Sequence, residues 1–166
     1  NESNKKEIES LEFQLERLNS LADILLKLSS LDANVDKMEK SKVLISEIVE
    51  YALDILRNSV DEKNIKLICN YEDYEIEVDY YWVSEALINI IKNALNREET
   101  TEIKISTNKN PIYTEITIED DGGGIKKENF KKIFERFYKT PDSKGFGIGL
   151  AMAKSIIEAN NGDISV

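Results

Sequence analysis

Residues 85–95 read EALINIIKNAL. Spacings of four put Glu85, Asn89 and Asn93 on one face of a helix, each about one turn above the last. Leu87, Ile90, Ile91 and Leu95 supply the opposite, apolar face. Asparagine is a poor residue for a helix interior because its short amide competes for nearby backbone groups. Two of them on one stripe fit either a solvated face or a ligand, and the helix alone does not choose. An amide oxygen is a neutral, hard donor. It suits Mg2+, which usually keeps several waters and takes phosphate oxygens.

Two glycine-bearing stretches lie downstream. Asp120-DGGGI follows the alternation Ile116-Thr-Ile118-Glu, so Asp120 falls at the end of a strand. An ionised carboxylate only accepts hydrogen bonds. It would pair with the exocyclic amine of adenine and repel the carbonyl of guanine. Gly122 and Gly124 let the backbone come close to a ligand, although a tight acidic turn would use them equally well. The second stretch is Lys144-GFGIGLAMAKSIIEANNG. Gly145, Gly147 and Gly149 open a helix whose free N–H groups and positive dipole end suit phosphate. A flexible hinge is the other reading. The polar segment from Lys139 to Phe146, with Pro141 and Gly145, is expected to be mobile without a nucleotide. No GxxxxGK[ST] occurs, and the glycine run does not follow a strand within a βαβ unit, so neither the P-loop nor the dinucleotide-binding fingerprint applies.

The rest of the chain frames these segments. Residues 1–31 carry Ile8, Leu11, Leu15, Leu18, Ala22 and Leu25 in alternating steps of three and four. That is a heptad seam, which predicts a long helix needing a partner. Leu21, Ile24 and Leu28 widen the stripe. A polar break at Asp32–Lys40 places a domain boundary there. Ser41 is expected to cap a helix reaching about Glu62. Strands are expected at Ile65–Tyr71 and Glu75–Val78, and a helix at Tyr81–Asn96. Glu102–Thr107 and Tyr113–Glu119 alternate with period two around Asn110-Pro111, which predicts a hairpin. Helices are expected at Lys127–Phe137 and Gly147–Asn160, with a final strand from Asp163.

Composition excludes several classes. Of 166 residues, 32 are acidic and 22 basic, for a formal net charge of -10. A general nucleic-acid binder wants a basic face. With no histidine and a single cysteine, Cys69, an internal disulfide and a structural zinc site are excluded. Cys69 lies in an apolar–polar alternation, so a half-buried strand cysteine is expected rather than a reactive thiol. No run approaches the roughly 18 apolar residues that span a membrane.

In order and placement, these segments resemble the catalytic and ATP-binding domain of sensor histidine kinases, within the GHKL ATPase superfamily. Glu85-ALINIIKNAL is similar to that family's N box, with Asp79 at the aspartate just ahead of it. Asp120-DGGGI resembles the first glycine box, Ile133-FERFYK the F box, and Gly145-FGIGLAMAKSIIEANNG the second glycine box. Leu15-ERLNSLADILLKLSSLDA resembles the second helix of the dimerisation and phosphoacceptor domain.

The resemblance implies an α/β two-layer sandwich, a mixed sheet with helices on one face, preceded by a dimerisation helix at 1–31. The catalytic domain would occupy 32–166, its closing hairpin cut short. It implies ATP and Mg2+, with Asn93 on the metal and Asn89 near metal or phosphates. Asp120 would hold the adenine amine, and Gly122, Gly124 and Ile125 would shape the base pocket. Lys139 and Arg136 would face the phosphates. Gly145, Gly147, Gly149 and Leu150 would form the lid hinge and phosphate contacts, and Glu85 would act as a general base or orient a group. The implied partners are a second copy and a response regulator, with no nucleic acid. The implied setting is cytoplasmic, with any membrane segment outside this chain.

The acceptor histidine would also lie outside it. Asn96 and Arg97 stand where the family often has lysine and tyrosine, and Asp121 replaces its usual asparagine. Two alternatives are a nucleotide-binding dimerisation module without kinase activity and a serine kinase of the anti-sigma type.

Overall fold

Period-two apolar spacing at 103–105 and 116–118 asks for a half-buried sheet, and the 3.6-residue spacing at 83–95 asks for a helix to cover it. A computed structural model of the chain describes residues 2–34, 37–140, 143 and 145–166. It divides into two units, Asn1–Asp36 and Lys37–Val166.

The first unit is one helix, α1 (Glu2–Asn34). Its seam is out in solvent: Ile8, Leu11, Leu15 and Leu18 are all more than half exposed. A single helix cannot bury its own stripe, as the heptad spacing requires.

The second unit runs β1 (Ser41–Leu44), α2 (Ile45–Glu62), β2 (Lys66–Asn70), β3 (Glu75–Val78), α3 (Tyr80–Leu95), β4 (Glu102–Lys109), β5 (Thr114–Asp120) and α4 (Gly149–Ala159). Two short 3-10 turns, Lys127–Asn129 and Lys132–Phe134, lie between β5 and α4. One sheet has the order β2-β4-β5, with β2 parallel and β5 antiparallel to β4. It is therefore mixed, as expected. On β4, Ile103 and Ile105 are fully buried while Lys104 is exposed, so one face of the sheet meets the core. Helix α3 packs on β5 and lies between α2 and α4. The core adds Ile45, Ile48, Val49 and Ala52 of α2, Ile91 and Leu95 of α3, and Ile156 of α4. Each large aliphatic side chain buried there contributes about 1.5–3 kcal/mol.

Several expectations need correction. Ser41 does not cap a helix. Ser41–Leu44 is a strand paired with β3, Val43 opposite Ile76. The cap of α2 is assembled from elsewhere. Asp73 accepts from the Ser46 backbone N–H at 2.9 Å and from its hydroxyl at 2.8 Å, and the Glu47 carboxylate accepts from the Leu44 N–H at 3.0 Å.

The segment 127–137 forms two 3-10 turns rather than a helix. Phe137 takes φ 66° and donates its N–H to the Gly147 carbonyl at 2.7 Å, and a continuing helix could not make that turn. Helix α4 opens at Gly149, not Gly147. Asp163–Val166 pairs with no described strand and is not one. Cys69 is exposed, because β2 is the edge of its sheet. Local desolvation still pushes its thiol pKa up, the wrong direction for a nucleophile. No helix among the described residues is long and apolar enough to cross a membrane.

Candidate functional site

Helix α3 carries the first part of the site and is firmly anchored at its start. Asp79 is its N-cap and is buried: one carboxylate oxygen accepts from the Trp82 N–H at 3.1 Å, the other from the Glu39 N–H at 2.9 Å. The Asp79 N–H in turn donates to the Asn160 side-chain oxygen at 2.8 Å, and Asn160 donates back to the Ile156 carbonyl at 2.9 Å. The aspartate ahead of the N box thus ties the start of α3 to the end of α4. Its partners at 39 and 160 are far away in sequence.

From that anchor, Glu85, Asn89 and Asn93 rise along one stripe. Glu85 is buried, Asn89 half-buried and Asn93 exposed. The Asn89 amide nitrogen donates to the Glu85 carbonyl at 2.9 Å. Its oxygen is turned toward the start of α4, where a Cβ on Gly149 would sit 3.2 Å from it. A side chain at 149 would crowd that oxygen. The first turn of α4 and Asn89 therefore face each other, a juxtaposition of a helix start, whose first N–H groups have no partner within the helix, with an amide oxygen.

The second part follows β5. Asp120 is partly exposed, and one of its oxygens, Oδ1, accepts from the Gly122 N–H at 3.0 Å. A Cβ on Gly122 would lie 2.8 Å from both that oxygen and the Thr100 hydroxyl, so no other residue fits without moving the loop. Thr100 is buried and donates to the Ala94 carbonyl at 3.1 Å, which ties this loop to the end of α3. Ile125 is half-buried just beyond Gly124.

In the sequence Asp121 stands only as a substitution for asparagine. It turns out to hold the start of β4. Its carboxylate accepts from the Thr101 N–H at 2.8 Å, the Glu102 N–H at 2.9 Å and the Thr101 hydroxyl at 2.5 Å. The hydroxyl bond first, then the two backbone bonds, lower its pKa from 3.8 to about 2. A carboxylate depressed in the folded state stabilises the fold above its unfolded pKa and loses that contribution as pH falls through its folded one. Asp121→Asn is therefore expected to melt below the parent at neutral pH. Thermal melts should show the gap closing between pH 3.8 and about 2. A gap independent of pH would show that the charge contributes nothing.

The third part is the segment 137–139 against the glycine run. Gly147 has φ 73°, and a Cβ there would meet the Tyr138 carbonyl oxygen at 2.4 Å and the Lys139 side chain at 3.0 Å. Only glycine tolerates both the conformation and the approach. Tyr138 is held in turn by its hydroxyl donating to the Asn129 side chain at 2.8 Å. Lys139 is thereby brought beside the run that opens α4. Arg136 is exposed on the same segment, Gly145 has open space around it, and Leu150 is half-buried in the first turn of α4. Of the segment 139–146 expected to be mobile, residues 141, 142 and 144 lie outside the described residues.

The structure thus brings Asn89 to Gly149, Lys139 to Gly147, and Asp120 to Gly122. It also reveals Thr100, Asp121 and Arg97 at the loop after β5. Among the described residues no group of three or more His, Cys, Asp or Glu side chains could hold a metal.

Residues 78–166, which include α3, both glycine segments and α4, match the family model described as histidine kinase-, DNA gyrase B- and HSP90-like ATPase. The chain belongs to this ATPase family. It is 29% identical over 163 residues to the sensor histidine kinase WalK of Bacillus subtilis, covering 91% of this chain and 26% of the relative. In three dimensions it is similar to the histidine kinase AdeS of Acinetobacter baumannii, with a TM-score of 0.74 and 25% identity, over 95% of this chain and 79% of that one. The histidine kinase ThkA, solved in complex with the response regulator protein TrrA, shares the fold at a TM-score of 0.73 and 22% identity, over 91% of this chain and 44% of that one. The chain spans 26% to 31% of the length of the first curated relatives it matches.

Proposed function

We propose that this chain is the ATP-binding catalytic part of a two-component sensor histidine kinase. It would place the γ-phosphoryl group of ATP for transfer to a histidine outside the chain, and from there to an aspartate of a response regulator. The observation that carries this reading is the meeting of Asn89 of the α3 stripe with the glycine start of α4, together with a partly exposed carboxylate at the end of β5. Residues 1–31 would form the second helix of the dimerisation domain and 32–166 the catalytic domain. The exposed seam of α1 supports a homodimer. Any membrane anchorage would come from segments outside this chain.

Mg2+ fits the donors present. Asn93 is exposed on the stripe and Asn89 turns its oxygen toward α4, which supports neutral amide oxygens as ligands of a phosphate-bound ion. When bound, the ion neutralises charge on the phosphates. Positioning and charge stabilisation are most of what phosphoryl transfer asks of a protein. Gly145, Gly147, Gly149 and Leu150 would border the phosphates, with Lys139 and Arg136 as the cations. Gly122, Gly124 and Ile125 would enclose the base. Glu85, buried beneath Asn89, would orient a group or act as a base.

One observation favours a second reading, a nucleotide-binding module without kinase activity. Asn96 closes α3, its N–H bonded back to Ala94 and Lys92, and it supplies no cation where the family often places lysine.

Asp120 is the discriminating residue. Calorimetry should show Mg-dependent binding of ATP or ADP in preference to GTP. Asp120→Ala is expected to weaken adenine nucleotides about ten- to a hundredfold, since a hydrogen bond to a charged group is worth about 1.5–3 kcal/mol. Equal affinity for GTP in the parent protein would remove Asp120 from this role.

A further inference from the structure

Arg97 follows the C-terminus of α3, where the helix dipole favours a cation at the surface. A side chain placed there for that reason alone would extend into water. The Arg97 side chain instead is only 22% exposed and crosses to the loop after β5. Its stem passes over Gly122, where a Cβ would lie 3.1 Å from its Cδ. Its Nη1 donates to the Gly124 carbonyl at 2.9 Å and stands 3.8 Å from Asp120 Oδ1. Asp120 and Gly124 therefore meet one guanidinium group, and Gly122 lies under its stem.

We infer that Arg97 is a specificity-determining positioning residue of the base pocket. The inference rests on the reading that Asp120 accepts the adenine amine. Asp120 Oδ1 faces the Gly122 N–H and Arg97, while among the described residues no hydrogen bond reaches Oδ2. The guanidinium fixes which oxygen is committed to the protein and which is left open. The open oxygen has only lone pairs to offer, so it matches an N–H and opposes a carbonyl. Bonding Gly124 with the same group sets the loop's width against the carboxylate. A planar fork can serve two acceptors at fixed angles, whereas an ammonium group is a point charge on a flexible stem. Without Arg97, Asp120 would keep only the Gly122 N–H and could turn either oxygen to water. Both the affinity for adenine nucleotides and the rejection of guanine would then fall.

The test is calorimetry of ADP and GDP, with Mg2+, on the parent chain, Arg97→Ala, Arg97→Gln and Arg97→Lys, alongside melting of each without nucleotide. Asp120→Ala serves as the control for the underlying reading. Arg97→Ala is expected to weaken ADP about tenfold and to compress the ADP-to-GDP ratio by a similar factor. Arg97→Lys should recover part of both. Arg97→Gln, which keeps amide donors without the charge, separates fork from charge and serves if the alanine variant does not fold. A purely structural arginine would lower the melting temperature and leave the ratio alone, and that result would overturn the inference. So would a sharper preference for adenine, which would mean that Arg97 donates to the guanine carbonyl instead of placing Asp120. If Asp120→Ala binds ADP as tightly as the parent, the adenine reading itself has failed and the inference falls with it. If Asp120→Ala loses binding while Arg97→Ala and Arg97→Gln change neither affinity nor ratio, only the role of Arg97 is lost.

Discussion

Asn93→Ala is expected to abolish the Mg2+ dependence of nucleotide binding while leaving the fold intact. Asn93 is exposed on α3, one turn beyond Asn89, and is not among the buried residues of that helix. Alanine is the better helix former, by up to about 0.7 kcal/mol, so the variant should melt at or slightly above the parent temperature without ligand. What it removes is a neutral oxygen one turn beyond Asn89, which faces the start of α4. A nucleotide whose metal has lost a protein ligand keeps its base contacts but not its fixed phosphates. Calorimetry of ADP with Mg2+ and with EDTA separates the two. In the parent the two affinities should differ widely, and in Asn93→Ala they should coincide near the metal-free value. A large drop in apo melting temperature would show that Asn93 is a structural residue. An undiminished Mg2+ effect would move the metal to other ligands.

How much of this was legible in the sequence depends on how local each cause is. Helix α3 was legible because its apolar positions repeat within the helix itself. The β4–β5 hairpin was legible for the same reason, and its turn is made locally, with the Asn110 side chain accepting from the Ile112 and Tyr113 N–H groups at 2.8 and 3.0 Å. The residues of the N box and both glycine boxes could be named because the chemistry of amide, carboxylate and glycine is carried by type and spacing.

What was missed is held by partners remote in sequence. Ser41–Leu44 looks like the start of a helix until β3 pairs with it, and the cap that ends the ambiguity comes from Asp73. The stretch 127–137 has helical spacing, but the Phe137 N–H bonds to Gly147 and turns the chain. Asp121 and Arg97 read as departures from a pattern. Only the folded chain shows the first locking β4 and the second reaching the loop after β5.

The largest effect expected is all-or-none. The chain contains no histidine, so this polypeptide incubated with labelled Mg-ATP should form no phosphohistidine however well it binds the nucleotide. Fused at its N-terminus to an amphipathic helix that carries one histidine on its polar face, it should acquire acid-labile, alkali-stable label. The exposed seam of Ile8, Leu11, Leu15 and Leu18 offers the surface against which such a helix would pack. Packing matters because a held acceptor reacts as if at very high concentration, whereas a free peptide must be caught by collision. The same histidine supplied as a separate, non-helical peptide should therefore label far more slowly. Replacing that histidine by glutamine must abolish the label, and Asp120→Ala in the fusion must reduce it through lost ATP binding. A fusion that binds Mg-ATP, packs its helix on α1 and still never becomes labelled would show that the nucleotide site does not perform transfer. The absence of a cation at Asn96 would then be the physical reason to read the chain as a nucleotide-binding dimerisation module. Labelling of the fusion would instead show that Lys139, the start of α4 and the asparagine stripe supply enough charge and order for transfer without that cation.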